Sequence, residues 1–356
     1  MKMERKKIIV HCSTNAGSSN FGDVLFAYMI LYHLQALGYQ ARFYDLSEYN
    51  CKYLFERHKL KQYSFPIQES DAAIYFAGGY FGEKKHNRID LSIRHYRRFM
   101  PFGNEVLKYD IPLSIIGIGA GDYLWFPSKC VVKKVCNRAE IITTRDEEST
   151  KYLKSIGVNT NLITCSDIAQ TLPSFSLDIC EPFELQEKFE YIFLHTNYMK
   201  DVASLFCEGV KKYLDSHPFI KVIIGSDNIA NIEEPYRIAT QILGDDRVIK
   251  YTYTTPENLC DLLKKCKFII TYKLHVGILS ATFGKSVIAI AKHEKIKRYY
   301  KQIGEMGRCI KFEDCTPNHI NEMIDRFYNK TVNLSEEILR LADLNWKVLD
   351  EFIEQD

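Results

Sequence analysis

Lys273-Leu274-His275 is the feature of the sequence best suited to chemistry. The triplet follows an apolar run, Phe268–Thr271, that reads as a strand, and precedes a helical run over 276–282. Positive groups at a helix start are electrostatically unfavourable, because the helix dipole prefers negative neighbours there. An anion seated against them offsets that cost, held by backbone N–H groups, Lys273 and His275 together. The same residues also fit a histidine hydrogen-bonded in the core beside a lysine that snorkels to solvent. Arg145-Asp146 opens a second helix, after a strand expected over 140–144. Asp146 suits that start by charge and by capping. Arg145 suits either an anion at the strand's carboxyl end or a surface pair with Asp146 or Glu148.

Three glycine patterns stand where strands should end: Asn20-Phe21-Gly22-Asp23, Gly78-Gly79-Tyr80-Phe81-Gly82 and Gly117-Ile118-Gly119-Ala120-Gly121. Glycines there admit a ligand or another backbone closely, and their N–H groups can line an anion pocket. Each also has a purely structural reading, which for the first is a helix cap by Asn20 or Asp23. The third pattern misses the dinucleotide fingerprint, because its last glycine position holds Asp122, so a nicotinamide site is disfavoured. Gly284-Lys285-Ser286 mimics the end of a phosphate-binding loop. Position 279 is a leucine, however, and the segment runs from helix into strand, the reverse of what such a loop requires. The run Lys292-His293-Glu294-Lys295-Ile296-Lys297-Arg298 reads as a solvated helix face that could also touch an anionic lipid headgroup or a pyrophosphate-linked acceptor.

The elements that must position these residues alternate between strand and helix. In the first half, strands are expected at 7–13, 40–44, Ala72–Phe76, Leu113–Ile118, 140–144 and 161–164, with helices at 21–37 and 146–156. A Pro/Ser-containing stretch over 173–182 reads as a linker. The alternation then restarts, with strands at 191–194, 221–225, Phe268–Thr271 and 286–289. Helices are expected at 203–215, Glu233–Leu243 and Pro256–Lys265, and an amphipathic helix over 335–353 closes the chain. Continuous apolar strands interleaved with helices indicate buried parallel sheets. The expected fold is therefore α/β, with two Rossmann-like domains (1–174 and 183–334) in a GT-B-like arrangement and a C-terminal closing helix (335–356). Such sheets bind ligands at the carboxyl ends of their strands, which places an anionic substrate between the two halves.

Composition narrows the partners. A chain of 356 residues with a formal net charge of +2 gives no general reason to expect nucleic acid. Eleven cysteines include no C-x-x-C, and no two histidines lie within four residues of each other. Zinc and redox spacings are thus lacking, and reduced structural thiols in the cytosol are expected. The basic N-terminus is followed only by Ile8-Ile9-Val10, too short an apolar run for a signal peptide. No charge-free stretch reaches the length of a membrane span. The expectation is a cytoplasmic protein, with at most peripheral contact at the inner membrane face.

The ordered set of Asn20-x-Gly22-Asp23, Gly78-Gly79, Gly117-x-Gly119-x-Gly121, Arg145-Asp146-x-x-Ser149, Asp167-x-Ala169 and Lys273-Leu274-His275, with Lys295 downstream, resembles the polysaccharide pyruvyl transferases. The likeness runs from about residue 8 to about residue 310. It implies a GT-B-like fold and transfer of pyruvate from phosphoenolpyruvate to a sugar as a cyclic ketal, with release of phosphate and no cofactor or metal. The acceptor it implies is a sugar or lipid-linked glycan of a surface or capsular polysaccharide precursor. The family's arginine-leucine-histidine triplet is matched by Lys273-Leu274-His275, where the lysine keeps the charge but loses the bidentate fork. His195-Thr196-Asn197 stands where an arginine is common, and Gly225-Ser226-Asp227 where a histidine is common. On this footing Arg145, Lys273 and Leu274 face the donor, and Asn20, Gly22, Gly78, Gly79, Gly119, Gly121 and Lys295 line the substrate. His275 is the candidate general acid, since histidine alone titrates near neutrality unperturbed. Asp23 is the candidate base for the acceptor hydroxyl. The rival is a metal-independent GT-B glycosyltransferase using a nucleotide sugar, which needs the same fold and the same positive groups. A sugar- or nucleotide-binding protein without catalysis is the third reading.

Overall fold

The structure, a computed structural model, describes residues 5–13, 19–82, 89–121, 125–177 and 182–355. The chain divides into two compact units, Met1–Phe175 with Glu337–Asp356, and Ser176–Glu336.

The first unit is built on six parallel strands, β1 (Lys7–His11), β2 (Gln40–Phe43), β3 (Ala72–Phe76), β4 (Leu113–Ile118), β5 (Ile141–Thr144) and β6 (Leu162–Thr164). They lie in the order β2-β1-β3-β4-β5-β6. The central strands β3 and β4 are buried at every residue, which is why both read as unbroken apolar runs. Helices α1 (Phe21–Ala36), α2 (Glu48–Cys51), α3 (Ile89–Lys108), α4 (Phe126–Arg138) and α5 (Glu147–Ser155) connect them. Sequence patterning does not anticipate α3, because Pro101 and Gly103 interrupt it. Packing explains the glycine. A Cβ on Gly103 would stand 2.6 Å from Val135 of α4 and 2.8 Å from the Tyr75 hydroxyl of β3, so only glycine lets the helix lie this close.

The second unit carries β7 (Glu190–His195), β8 (Ile220–Gly225), β9 (Val248–Tyr251), β10 (Phe268–Thr271), β11 (Ser286–Ala291) and β12 (Cys309–Lys311), all parallel, in the order β12-β11-β10-β7-β8-β9. Its helices are α6 (Lys200–Asp215), α7 (Glu233–Leu243), α8 (Pro256–Lys265), α9 (Leu274–Thr282), α10 (Glu294–Gln302) and α11 (Pro317–Phe327). The edge strands β9 and β12 go beyond the sequence expectation. Both are short and carry a lysine, so neither has the continuous apolar signature of the central strands. Gly284, with φ +64°, turns the chain from α9 into β11, so the helix-to-strand order rules out a phosphate-binding loop there.

The last helix, α12 (Glu336–Glu354), packs on the first unit. Its Trp346 indole N–H donates to Thr171 at 2.9 Å, and its Asp350 meets His33 of α1 at 2.7 Å. Asn345 is fully buried. Its amide donates to the Ser166 and Ala342 carbonyls, each at 3.0 Å, and its oxygen accepts from Thr143 at 2.6 Å. No helix among the described residues is long and apolar enough to cross a membrane.

Candidate functional site

The strand order of each sheet reverses once, between β1 and β3 in the first and between β7 and β10 in the second. The crevice outside the carboxyl ends at such a reversal is where open α/β sheets bind ligands. Gly78-Gly79 follows β3 at the first reversal and Lys273-Leu274-His275 follows β10 at the second, while Arg145 reaches in from β5.

In the first unit, the loops after β3 and β4 run side by side. Gly119 N–H donates to the Gly78 carbonyl at 2.8 Å, and Gly121 N–H to the Phe81 carbonyl at 3.2 Å. A Cβ on Gly82 would stand 2.6 Å from the Gly121 nitrogen, so that glycine serves backbone-to-backbone approach. Gly78 and Gly117 have φ of +86° and +66°, the left-handed region that favours glycine. Gly117 is held from below: its N–H donates to Thr143 at 2.6 Å, and Thr143 in turn donates to Asn345 of α12.

Arg145 leaves the end of β5 and lays its guanidinium over these loops. A Cβ on Gly119 would fall 2.6–2.7 Å from three guanidinium atoms, and one on Gly79 would fall 3.3 Å from Nη2. Both glycines therefore make room for the arginine. Arg145 is only 6% exposed. Asp146 and Asp167 stand 3.8 and 3.7 Å from its nitrogens, beyond hydrogen-bond distance, so its charge is matched while its donors stay unspent among the described residues. Each carboxylate also shapes the backbone. Asp146 caps α5 by accepting from Ser149 N–H at 2.7 Å, and Asp167 accepts from Ala169 N–H at 3.1 Å. Ser149 Oγ accepts from the Ala120 N–H at 2.9 Å, tying the cap to the glycine loop. The spacings Arg145-Asp146-x-x-Ser149 and Asp167-x-Ala169 thus follow from capping and loop geometry.

Asn20 caps α1 through its carbonyl, which accepts from Val24 at 3.0 Å, while its side chain makes no cap hydrogen bond. Gly22 is buried in the first turn, and Asp23, half-buried, follows it. His11, whose surroundings in the sequence carry no chemical motif, ends β1 beside this turn. It is 1% exposed inside a box of Tyr44, Tyr75, Tyr80, Phe99 and Phe102. Burial, with the nearby Arg98 charge, pushes its pKa down to about 3, so the imidazole is neutral.

In the second unit, Lys273 is the N-cap residue of α9, with no side-chain cap of its own, and Leu274 and His275 form the first turn. Leu274 is buried and anchors that turn, while Lys273 and His275 are half-buried. The structure also brings in two residues that spacing alone does not reveal. His195, at the end of β7, is wholly buried and places Nε2 3.3 Å from Oδ1 of Asp227. The Lys273 ammonium lies 3.8 Å from the same oxygen. His195 Nδ1 lies 3.2 Å from the Thr271 hydroxyl at the end of β10, and the Asp227 N–H donates to Asn197 at 3.0 Å. Burial alone would raise the pKa of Asp227. The Lys273 charge and the His195 contact outweigh it and hold the carboxyl well below the usual carboxylate range. Thr271, His195, Asp227 and Lys273 thus form one polar chain at the second reversal point. Lys295, on the first turn of α10, is exposed.

A sequence model described as polysaccharide pyruvyl transferase matches residues 20–294. Comparison with curated proteins finds no match. Among solved structures, the chain is similar to S. aureus MnaA with UDP, at 10% identity over 98% of this chain and 96% of that one, with a TM-score of 0.66. It is similar to UDP-GlcNAc 2-epimerase from Neisseria meningitidis bound to UDP-GlcNAc, at 10% identity over 98% and 100% of the two chains, TM-score 0.63. It is also similar to Anabaena Alr3699/HepE in complex with UDP and glucose, at 11% identity over 99% and 100%, TM-score 0.58. At these identities the likeness establishes the fold, a two-domain α/β architecture of the GT-B type.

Proposed function

Because the chain belongs to the polysaccharide pyruvyl transferase family, we propose that it moves the pyruvate unit of phosphoenolpyruvate onto two hydroxyls of one sugar as a cyclic ketal, releasing inorganic phosphate. The observation that carries this reading is the Lys273-Leu274-His275 triplet at the opening of α9, beside the strand reversal of the second sheet. Phosphoenolpyruvate places a carboxylate close to a phosphate, so its site needs fixed cations and backbone donors. Lys273 and the first turn of α9 suit that need, and the unspent donors of Arg145 suit an anion in the same way.

In the reaction, one sugar hydroxyl adds to C2 while a proton adds to C3. Phosphate then leaves C2 with the C–O bonding pair, and the second hydroxyl closes the ketal. Of the two hydroxyl protons, one is balanced by the new C3–H bond and the other leaves with phosphate. We assign His275 as the acid at C3 and Asp23 as the carboxylate for the acceptor hydroxyl. The acceptor is a sugar or lipid-linked glycan of a polysaccharide precursor, and the exposed Lys295 would meet an anionic acceptor or headgroup at the inner membrane face.

A second reading is a transferase for nucleotide sugars. It is favoured by the UDP or UDP-GlcNAc found with structures of the same fold. Thermal-shift titration separates the two. A ligand at a hundred times its dissociation constant adds about 2.7 kcal/mol of stability. Phosphoenolpyruvate should raise the melting temperature and nucleotide sugars should not; the reverse pattern would hand the site to the second reading.

A further inference from the structure

At the second reversal point, an anion approaching Lys273 meets an opposing charge. The ammonium already faces the Asp227 carboxylate at 3.8 Å. With neutral His195, the charges of Lys273 and Asp227 cancel, and the next ammonium, Lys292 at 5.4 Å from the Tyr272 ring centroid, already stands 3.6 Å from Asp201. The buried imidazole touching the same carboxylate oxygen supplies the missing charge if it takes up a proton.

Resting on the donor reading above, we propose that His195 and Asp227 are positioning residues of the Lys273 anion site, and that the anion binds there together with one proton, which His195 accepts. The hydrogen-bond chain has a place for that proton. Nε2 faces Asp227 Oδ1 at 3.3 Å without hydrogen-bond geometry, and with the neutral ring's hydrogen on Nε2, Nδ1 accepts the Thr271 hydroxyl at 3.2 Å. A proton from solvent adds to Nδ1, which then donates to the Thr271 oxygen. The Thr271 hydroxyl turns to donate to the Lys273 carbonyl, 3.4 Å away, while its oxygen goes on accepting the Lys273 N–H at 3.0 Å.

The other groups facing the ring do not supply the charge. Tyr272 lies 5.2 Å away between ring centroids and Phe193 at 6.1 Å; the phenol of Tyr272 is held neutral by burial, its pKa pushed above the usual value. Both ion contacts to Asp227 are longer than the 2.7–2.9 Å or so of a tight charge-assisted bond, so the carboxylate steers its partners without locking them. Lysine in place of an arginine fits this arrangement, because a single ammonium can be shared between a carboxylate and an incoming anion.

The test is isothermal titration calorimetry of phosphoenolpyruvate, and separately of sulfate, at pH 8 in buffers of differing ionisation enthalpy. Both anions are fully ionised there, since a phosphate monoester has its second pKa near about 6. The wild type should take up close to one proton per anion, and His195→Gln should take up none and bind at least ten-fold more weakly. Asp227→Asn, which keeps the shape, frees Lys273. It should bind the anion at least ten-fold more tightly without proton uptake. A purely structural Asp227 would give unchanged or weaker binding, and that result overturns the proposal. Phosphoenolpyruvate binding without proton uptake would overturn the proposal and leave the donor reading intact. Sulfate binding with uptake while phosphoenolpyruvate fails would do the opposite, and no binding of either anion would overturn both.

Discussion

Gly119→Ala is the sharpest test of how the first unit holds its arginine. The added Cβ would fall 2.6–2.7 Å from the Nη2, Cζ and Nε atoms of Arg145. Non-bonded carbons and nitrogens settle near about 3.5 Å, so the guanidinium must retreat by roughly 0.8 Å. It cannot do so freely, being 6% exposed and flanked by Asp146 and Asp167. Overpacking of this kind costs about 1–3 kcal/mol, or about 2–4 °C in melting temperature per kcal/mol for a domain of this size. If Arg145 also holds the donor, the displacement should cost about 1.5–3 kcal/mol of donor affinity, the scale of a hydrogen bond to a charged group. The assay is a double-mutant cycle with Arg145→Ala, read by thermal melts and by phosphoenolpyruvate titration. Once the guanidinium is gone, Gly119→Ala should cost less than about 0.5 kcal/mol. An equal cost in both backgrounds would refute the cradle, because the clash would then lie with the backbone.

Three further outcomes follow from particular contacts. The folded pKa of His11, about 3, lies below its unfolded value, so the unfolded chain takes the proton first. The stability due to His11 is complete above about pH 6.5 and falls by about 1.4 kcal/mol per pH unit below it, and His11→Phe should flatten that slope in pH-dependent urea melts. Asn345→Ala strands the Ser166 carbonyl and the Thr143 hydroxyl and should destabilise by about 1–3 kcal/mol in denaturant titration, with no change if the network is dispensable. His275→Gln should keep phosphoenolpyruvate affinity within a few-fold while turnover drops by roughly 10²–10⁴, and near-normal turnover in the folded variant would remove His275 as the acid.

Much of the fold is legible in the sequence because its central strands are apolar runs buried on both faces. The runs at β3, β4 and β10 need no partner to be recognised. Helix α3 is hidden because Pro101 and Gly103 break its period, and the reason for the glycine lies in Tyr75 and Val135, remote in sequence. The edge strand β9 is hidden because Lys250 belongs on an exposed edge. The candidate site divides the same way. Lys273-Leu274-His275 and Arg145 stand out by position at strand ends, and Asp146 declares itself as a cap. What Arg145 lies against depends on the register of three loops, which no local spacing encodes. The His195–Asp227 contact depends on β7 lying between β8 and β10, a fact of strand order, so the sequence displays the two residues without displaying the pair.

Product analysis with a sugar or lipid-linked glycan acceptor, both donor classes offered together, decides between pyruvyl and glycosyl transfer. The proposed function predicts that phosphoenolpyruvate is consumed, that inorganic phosphate appears in equal amount, and that the acceptor gains a ketal-linked pyruvate seen by mass and by its methyl resonance. Release of a nucleoside diphosphate from a nucleotide sugar, with phosphoenolpyruvate left intact, would contradict it.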